Sequence, residues 1–265
     1  MRSSWASTFP DVDRRDLILQ ELGLTRWVLR HAPEPVPAAN QAVEAHVAQP
    51  PAQQAAPADA GGRAGAVAVM DWPALREAVR ACAACALHKG RTQSVFGVGD
   101  ENADWLFVGE GPGAEEDARG EPFVGQAGRL LDNMLGAVGL KRGHDVYIAN
   151  VVKCRPPGNR VPEPGEAQAC EPFLLRQIAL IQPRLIVALG KTAASNLLRS
   201  EASVASLRGR LHTFNGVPLL VTYHPAYLLR NLPDKAKAWE DLCMARELMA
   251  RLKSGQAAAA KPQLS

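Results

Sequence analysis

Long apolar runs are missing from this chain. No stretch of about eighteen consecutive apolar residues occurs, so no membrane-spanning helix is expected. An apolar signal segment is missing too, which points the five cysteines toward a reducing cytoplasm, where clustered cysteines bind metal or do chemistry. A strong charge of either sign is absent. The formal net charge of +3 permits a nucleic-acid partner without arguing for one, and any basic footprint must be local. Aromatic residues are scarce, at 5%. What is present is 265 residues, 47% of them hydrophobic, enough for one sizeable core with chain left over.

The surplus lies at the ends. Residues 1–30 hold a compact motif in which Arg14-Arg15-Asp16 precedes Leu17, Ile18, Leu19 and Leu22, with Gly23 as a stop and Leu24, Trp27 and Val28 beyond it. Apolar surface on so short a segment suits a partner's groove or the parent domain. Residues 31–68 are dominated by Pro, Ala and Gln without helical or strand period, and read as a disordered linker. A folded domain is expected over 69–254, with Asp71-Trp72-Pro73 capping a helix that runs to Cys82 and a disordered tail over 255–265.

Within the domain, four apolar runs of strand length alternate with helical stretches. The runs are Trp105 to Val108, Val146 to Val152, Leu185 to Leu189 and Leu219 to Tyr223. Helices are expected over 128–138, 166–181, 191–198 and 234–252. This alternation predicts an α/β fold whose parallel sheet is covered on both faces. Each run ends in a residue of interest: Glu110, Asn150, Gly190 and His224.

The first run turns sharply at Gly109-Glu110-Gly111-Pro112-Gly113, where open α/β sheets bind their ligands. Gly109 and Gly111 supply half of a dinucleotide fingerprint, but Glu115, Glu116 and Asp117 occupy the helix start that would receive a pyrophosphate and would repel it. A plain turn with helix-starting acids is the ordinary alternative.

Cys82 and Cys85 form a Cys-Ala-Ala-Cys pair, and Cys154 and Cys170 flank a loop rich in Pro and Arg. Four thiolates can complete a tetrathiolate site, and spacing alone does not choose zinc over an iron–sulfur cluster. A redox dithiol lacks the strand that should precede it. Cys243 falls among apolar helix residues and reads as core.

Four ordered motifs together with the cysteine quartet resemble the family 4 uracil-DNA glycosylases, the iron–sulfur branch of their superfamily. They are Gly-Glu-Gly-Pro-Gly-Ala-Glu-Glu-Asp at 109–117, Pro-Phe-Val-Gly-Gln-Ala-Gly at 122–128, Asn-Val-Val-Lys-Cys-Arg-Pro-Pro at 150–157 and His-Pro-Ala-Tyr-Leu-Leu-Arg at 224–230. The resemblance implies a three-layer α/β/α fold with a four-stranded parallel sheet, and a [4Fe–4S] cluster on Cys82, Cys85, Cys154 and Cys170. It implies a monomeric enzyme that flips uracil out of DNA and hydrolyses its N-glycosidic bond. Residues 11–30 resemble the clamp-loader-binding peptide of the psi subunit of bacterial DNA polymerase III, which implies a bacterial cytoplasmic protein tethered to a clamp-loader subunit. A covalent uracil-binding branch carries a reactive His between its third and fourth cysteines, and no His lies between Cys154 and Cys170. The reading from another class is a non-enzymatic, replication-associated DNA-binding module with a structural iron–sulfur or zinc site.

Carried onto these motifs, Phe123 stacks on the base and Asn150 pairs with its edge, whereas an ordinary core Phe and a strand-end cap are the structural alternatives. His224, helped by the Gly111 backbone, stabilises charge on the departing uracil. Glu110 positions water or favours an oxocarbenium-like sugar, in a motif where better-known uracil glycosylases carry Asp, and Glu116 is a second candidate acid. Lys153, Arg155, Arg160 and Arg230 are candidate phosphate contacts, and Leu228 and Leu229 a candidate wedge into the duplex or the first turn of a helix.

Overall fold

In the computed structural model the described residues are 60–255, so the docking segment over 11–30, most of the linker and nearly all of the tail lie outside them. Asp71 accepts a hydrogen bond from Ala74 N at 3.0 Å and starts α2, Trp72–Arg80, with Pro73 in its first turn. A helix α1, Ala60–Ala68, precedes it. The linker boundary drawn at Ala68 is thereby corrected: an Ala/Gly-rich segment without a strong apolar stripe becomes helical because it packs on the domain, with Val67 in the core.

The four expected strands are β2 (Trp105–Gly109), β3 (Val146–Asn150), β4 (Leu185–Leu189) and β6 (Val217–Thr222). They form the parallel centre of a sheet in the order β3-β2-β4-β6. The sheet has six strands, not four: β1 (Val98–Gly99) pairs antiparallel with β3, and β5 (His212–Phe214) antiparallel with β6. Residues of β2, β3 and β4 are buried throughout, as strands covered on both faces must be.

The helices α4 (Gln126–Ala137) and α9 (Asp234–Lys253) meet Trp105, Phe107, Ile148 and Val187 on one face. On the other, α1, α2, α5 (Pro164–Ile181) and α6 (Gly190–Leu198) meet Leu106, Val108, Ala149 and Ile186. Successive strand residues thus feed opposite layers, and the α/β/α architecture follows. Short helices α3 (Ala114–Arg119), α7 (Val204–Leu207) and α8 (Pro225–Leu228) sit in the connections. No described helix is long and apolar enough to cross a membrane.

Candidate active site and cysteine cavity

Because the central strands are parallel, their carboxyl ends share one edge of the sheet. Gly109 pairs in register with Asn150, and the pairing continues as Val151 N donates to Gly109 O at 2.9 Å and Val152 N to Glu110 O at 3.1 Å. Glu110 and Asn150 are therefore neighbours by topology, and β4 and β6 deliver Gly190 and His224 beside them.

Asn150 is buried at 2% exposure, and its Oδ1 has no hydrogen-bond partner. A buried acceptor left unpaired costs about 1–3 kcal/mol, so it marks a place prepared for a donor. Its surroundings are tight. A Cβ on residue 109 would fall 2.5 Å from that oxygen and 2.6 Å from Phe123 Cζ, so only glycine lets the asparagine amide and the Phe123 ring share the strand end.

Phe123 takes a left-handed backbone, φ 56°, and its ring tilts 31° against His224 with centroids 5.4 Å apart. Its loop is fixed from two sides. Arg142 donates to the carbonyls of Pro122 and Phe123, both at 2.8 Å, and through Nε to Asp132 at 2.9 Å. Glu116 accepts from Val124 N at 3.0 Å, Gly125 N at 3.1 Å and Gly113 N at 3.1 Å. Three backbone donors hold that carboxylate, so Glu116, named from the sequence as a second candidate acid, clasps the two loops.

His224 caps α8, its Nδ1 accepting from Ala226 N at 3.1 Å. Burial, with Arg230 nearby, pulls its pKa down to about 4, and Glu116 opposes only weakly. The ring is neutral at pH 7, and with Nδ1 accepting, its one proton sits on Nε2. Gly190, at φ +87°, closes against His224 Cβ. Two residues on, Thr192 Oγ1 donates to Glu110 Oε2. No motif singled out Thr192 or Arg142; a hydroxyl in a helix's first turn and an arginine in a loop carry no spacing signal. Gly111 packs against Val152 at the mouth of the same edge.

Cys82, Cys85, Cys154 and Cys170 line one cavity with His88 and Phe173. Among the described residues no three His, Cys, Asp or Glu side chains are arranged to hold a single metal ion. Burial pushes the Cys170 thiol up to about 12 and raises Cys154 and Cys85, so the sulfurs keep their protons unless a cationic core replaces them. N–H groups are aimed at sulfur: Arg91 at Cys154 (3.0 Å), Lys153 N at Cys170 (3.2 Å) and Arg63 at Cys82 (3.5 Å). Such bonds accompany thiolates that carry charge. Cys243 is half-buried on α9, away from the cavity lining.

The candidate DNA contacts divide. Lys153 is 1% exposed, its ammonium bonded to Asn150 O at 2.9 Å and Gln177 Oε1 at 2.6 Å, and burial draws its pKa to about 8; it presents nothing to a phosphate. Leu228 is likewise buried, as the inward residue of α8, and does not wedge into DNA. Arg160 is held by Glu166 through two bonds. Leu229 and Arg230 are exposed, and Arg155, partly exposed, donates to Asn159 Oδ1 at 2.7 Å.

The residue pattern of the uracil DNA glycosylase superfamily matches residues 96–243. A type-4 uracil-DNA glycosylase of Thermotoga maritima is 49% identical over 163 residues, 61% of this chain and 84% of the relative. One of Pyrobaculum aerophilum is 42% identical over 183 residues, 66% of this chain and 93% of the relative. A type-5 uracil-DNA glycosylase of the same organism is 32% identical over 146 residues, 49% of this chain and 64% of the relative.

Proposed function

This chain belongs to the uracil DNA glycosylase superfamily, and from that membership and the site we propose that it hydrolyses the N-glycosidic bond of deoxyuridine in DNA, leaving an abasic site. The observation that carries the reading is the unpaired, buried Oδ1 of Asn150 at the carboxyl edge of the sheet. Uracil N3–H is a donor that fits it, with the amide nitrogen then facing O4; cytosine presents the reverse pattern and leaves buried groups unpaired. The base reaches the pocket only if its nucleotide is flipped from the duplex.

Phe123 offers the face on which the base stacks. His224, neutral, donates from Nε2 to uracil O2, where negative charge develops as the bond to C1′ breaks. A neutral donor loses no proton to water before the reaction. Glu110, its carboxylate steadied by Thr192, favours the positive charge on the sugar and orients the water whose oxygen bonds to C1′. The water's proton is left to the departing base or solvent. Arg155, Leu229 and Arg230 supply the exposed contacts for the strand.

The cysteine cavity suits a [4Fe–4S] core held by Cys82, Cys85, Cys154 and Cys170, since all four thiols line it and N–H groups are aimed at three of the sulfurs. Cys82 and Cys85 after α2, Cys154 in the loop after β3 and Cys170 on α5 would hold it, and it would then serve to tie those three segments together. The test is incubation with a uracil-containing oligonucleotide, then hot alkali. Cleavage at the uracil is expected, abolished in Asn150→Ala and His224→Ala; DNA left intact by the wild-type protein makes it a binding module instead.

A further inference from the structure

Lys153 is a lysine with almost no solvent exposure, and it sits between the two centres of the molecule. Its ammonium meets oxygens of neutral groups: the main-chain carbonyl of Asn150 at 2.9 Å and Oε1 of Gln177 at 2.6 Å. Gln177 is itself fully buried and anchored, its Nε2 donating to Phe96 O at 2.9 Å. The main-chain N of Lys153 donates to Cys170 Sγ at 3.2 Å, its carbonyl accepts from Val95 N at 2.7 Å, and the next residue is Cys154. Cys170 and Gln177 are seven residues apart on α5, about two turns, and so share a face. One buried residue therefore touches the cysteine cavity with its backbone and the base-reading asparagine with its side chain.

A cation is expensive to bury without an anion in contact, and simple volume filling would be served better by Met or Leu. The bond it makes is specific: it grips the carbonyl of the residue whose side chain must be set to hydrogen-bonding accuracy. We propose that Lys153 is a positioning residue that clamps Asn150 to the cysteine-bound core, so that an intact core holds the uracil-reading amide in place. This rests on the reading of Asn150 as the base contact.

A double-mutant cycle on the iron-loaded full-length protein tests it, with Lys153→Met, Asn150→Ala and the pair. Three quantities are read: iron content with visible absorbance, kcat and KM on a uracil oligonucleotide, and affinity for a 2′-fluoro-deoxyuridine oligonucleotide relative to the same strand with thymine. Lys153→Met is expected to keep its iron, to lose about 10–100-fold in kcat/KM, and to lose most of its preference for the fluorouridine strand. In the Asn150→Ala background the same substitution is expected to change affinity for the fluorouridine strand by less than about 2-fold, because the clamp has nothing left to set. Additive losses, or wild-type catalysis by Lys153→Met alongside an inactive Asn150→Ala, overturn the clamp and leave the base contact standing. Wild-type activity of Asn150→Ala overturns the base contact and the clamp with it. Should Lys153→Met not accumulate folded, Gln177→Met carries the same cycle, since it removes one of the two acceptors of the ammonium; non-additivity with Asn150→Ala is again expected, and additivity overturns the proposal.

Discussion

Gly190 and His224 touch backbone to side chain. A Cβ on residue 190 would lie 2.8 Å from His224 Cβ, and residue 190 holds φ +87°. Both facts demand glycine. Gly190→Ala is expected to add roughly 1–2 kcal/mol of backbone strain and to push the imidazole off the base by a fraction of an ångström. Small misplacements of that kind cost up to about 100-fold in rate. A fall in kcat of at least about 10-fold, with a lower Tm, checks the contact; a variant within about 2-fold of wild type removes Gly190 from the site's architecture.

Thr192 orients Glu110 by one hydrogen bond to a carboxylate. Thr192→Val keeps the shape and deletes the donor, worth about 1.5–3 kcal/mol, so kcat is expected to fall roughly 10–100-fold with KM little changed. Thr192→Ser restores the hydroxyl and is expected to recover most of the rate. A loss in Ser with the rate kept in Val would mean that the methyl group, not the bond, matters.

The legible part of this molecule was the part governed by period and punctuation. Strands buried on both faces show as apolar runs, so β2 and β4 were found almost to the residue. The start of β6 was missed because Pro218 interrupts its apolar run, although Asn215-Gly216, with φ 47° and 84°, is a two-residue hairpin turn written plainly in the sequence. Lys153 was read as surface because lysine in a polar loop almost always is; its burial comes from Gln177, twenty-four residues away, which no local pattern connects to it. Leu228 was offered to DNA since a Leu-Leu pair after a turn looks exposed, whereas α8 turns one leucine inward and the other outward.

His224 supplies a pH signature. Its folded pKa, about 4, lies below the ordinary 6.5 of a histidine, with Arg230 and Glu116 the charged groups near it. The unfolded chain therefore binds a proton that the folded one refuses, and stability falls as pH drops from about 6.5 toward 4. Urea midpoints of wild type and His224→Gln are expected to converge over that window if the wild type is the more stable at pH 7, because only the wild type pays this protonation penalty. Nitrogen-resolved NMR of the ring should show Nδ1 bare and Nε2 protonated throughout pH 5 to 8; a doubly protonated ring at pH 6 refutes the neutral donor.

Arg63, on the helix that the linker reading passed over, donates to Ala169 O at 2.6 Å, reaches Cys82 Sγ and lies 4.8 Å over the Phe173 ring. It braces three residues of the cysteine cavity's lining, Cys82, Ala169 and Phe173, from outside the segment matched by the superfamily pattern. Arg63→Ala is expected to leave the glycosylase rate of fresh protein within about 2-fold and to hasten loss of visible absorbance in air several-fold, since Cys82 loses its N–H donor and the lining its brace. Bleaching at the wild-type rate would make α1 a bystander.

Arg142 is the residue that holds the Phe123 loop, for reasons of shape more than charge. Its fork serves two carbonyls and one carboxylate at once, Pro122, Phe123 and Asp132, while Phe123 sits at φ 56° and its carbonyl leaves no room for any side chain on residue 128. A lysine has one ammonium and cannot reach three acceptors in that plane. Arg142→Lys and Arg142→Met are therefore expected to fail alike, each weakening binding of the fluorouridine strand and lowering kcat/KM by about 10-fold or more, with the thymine strand bound as before. If Lys restores the wild-type values, the positive charge near Asp132 is what matters, and the orientation of Phe123 must be set by Glu116 and the crowding at Gly128 instead.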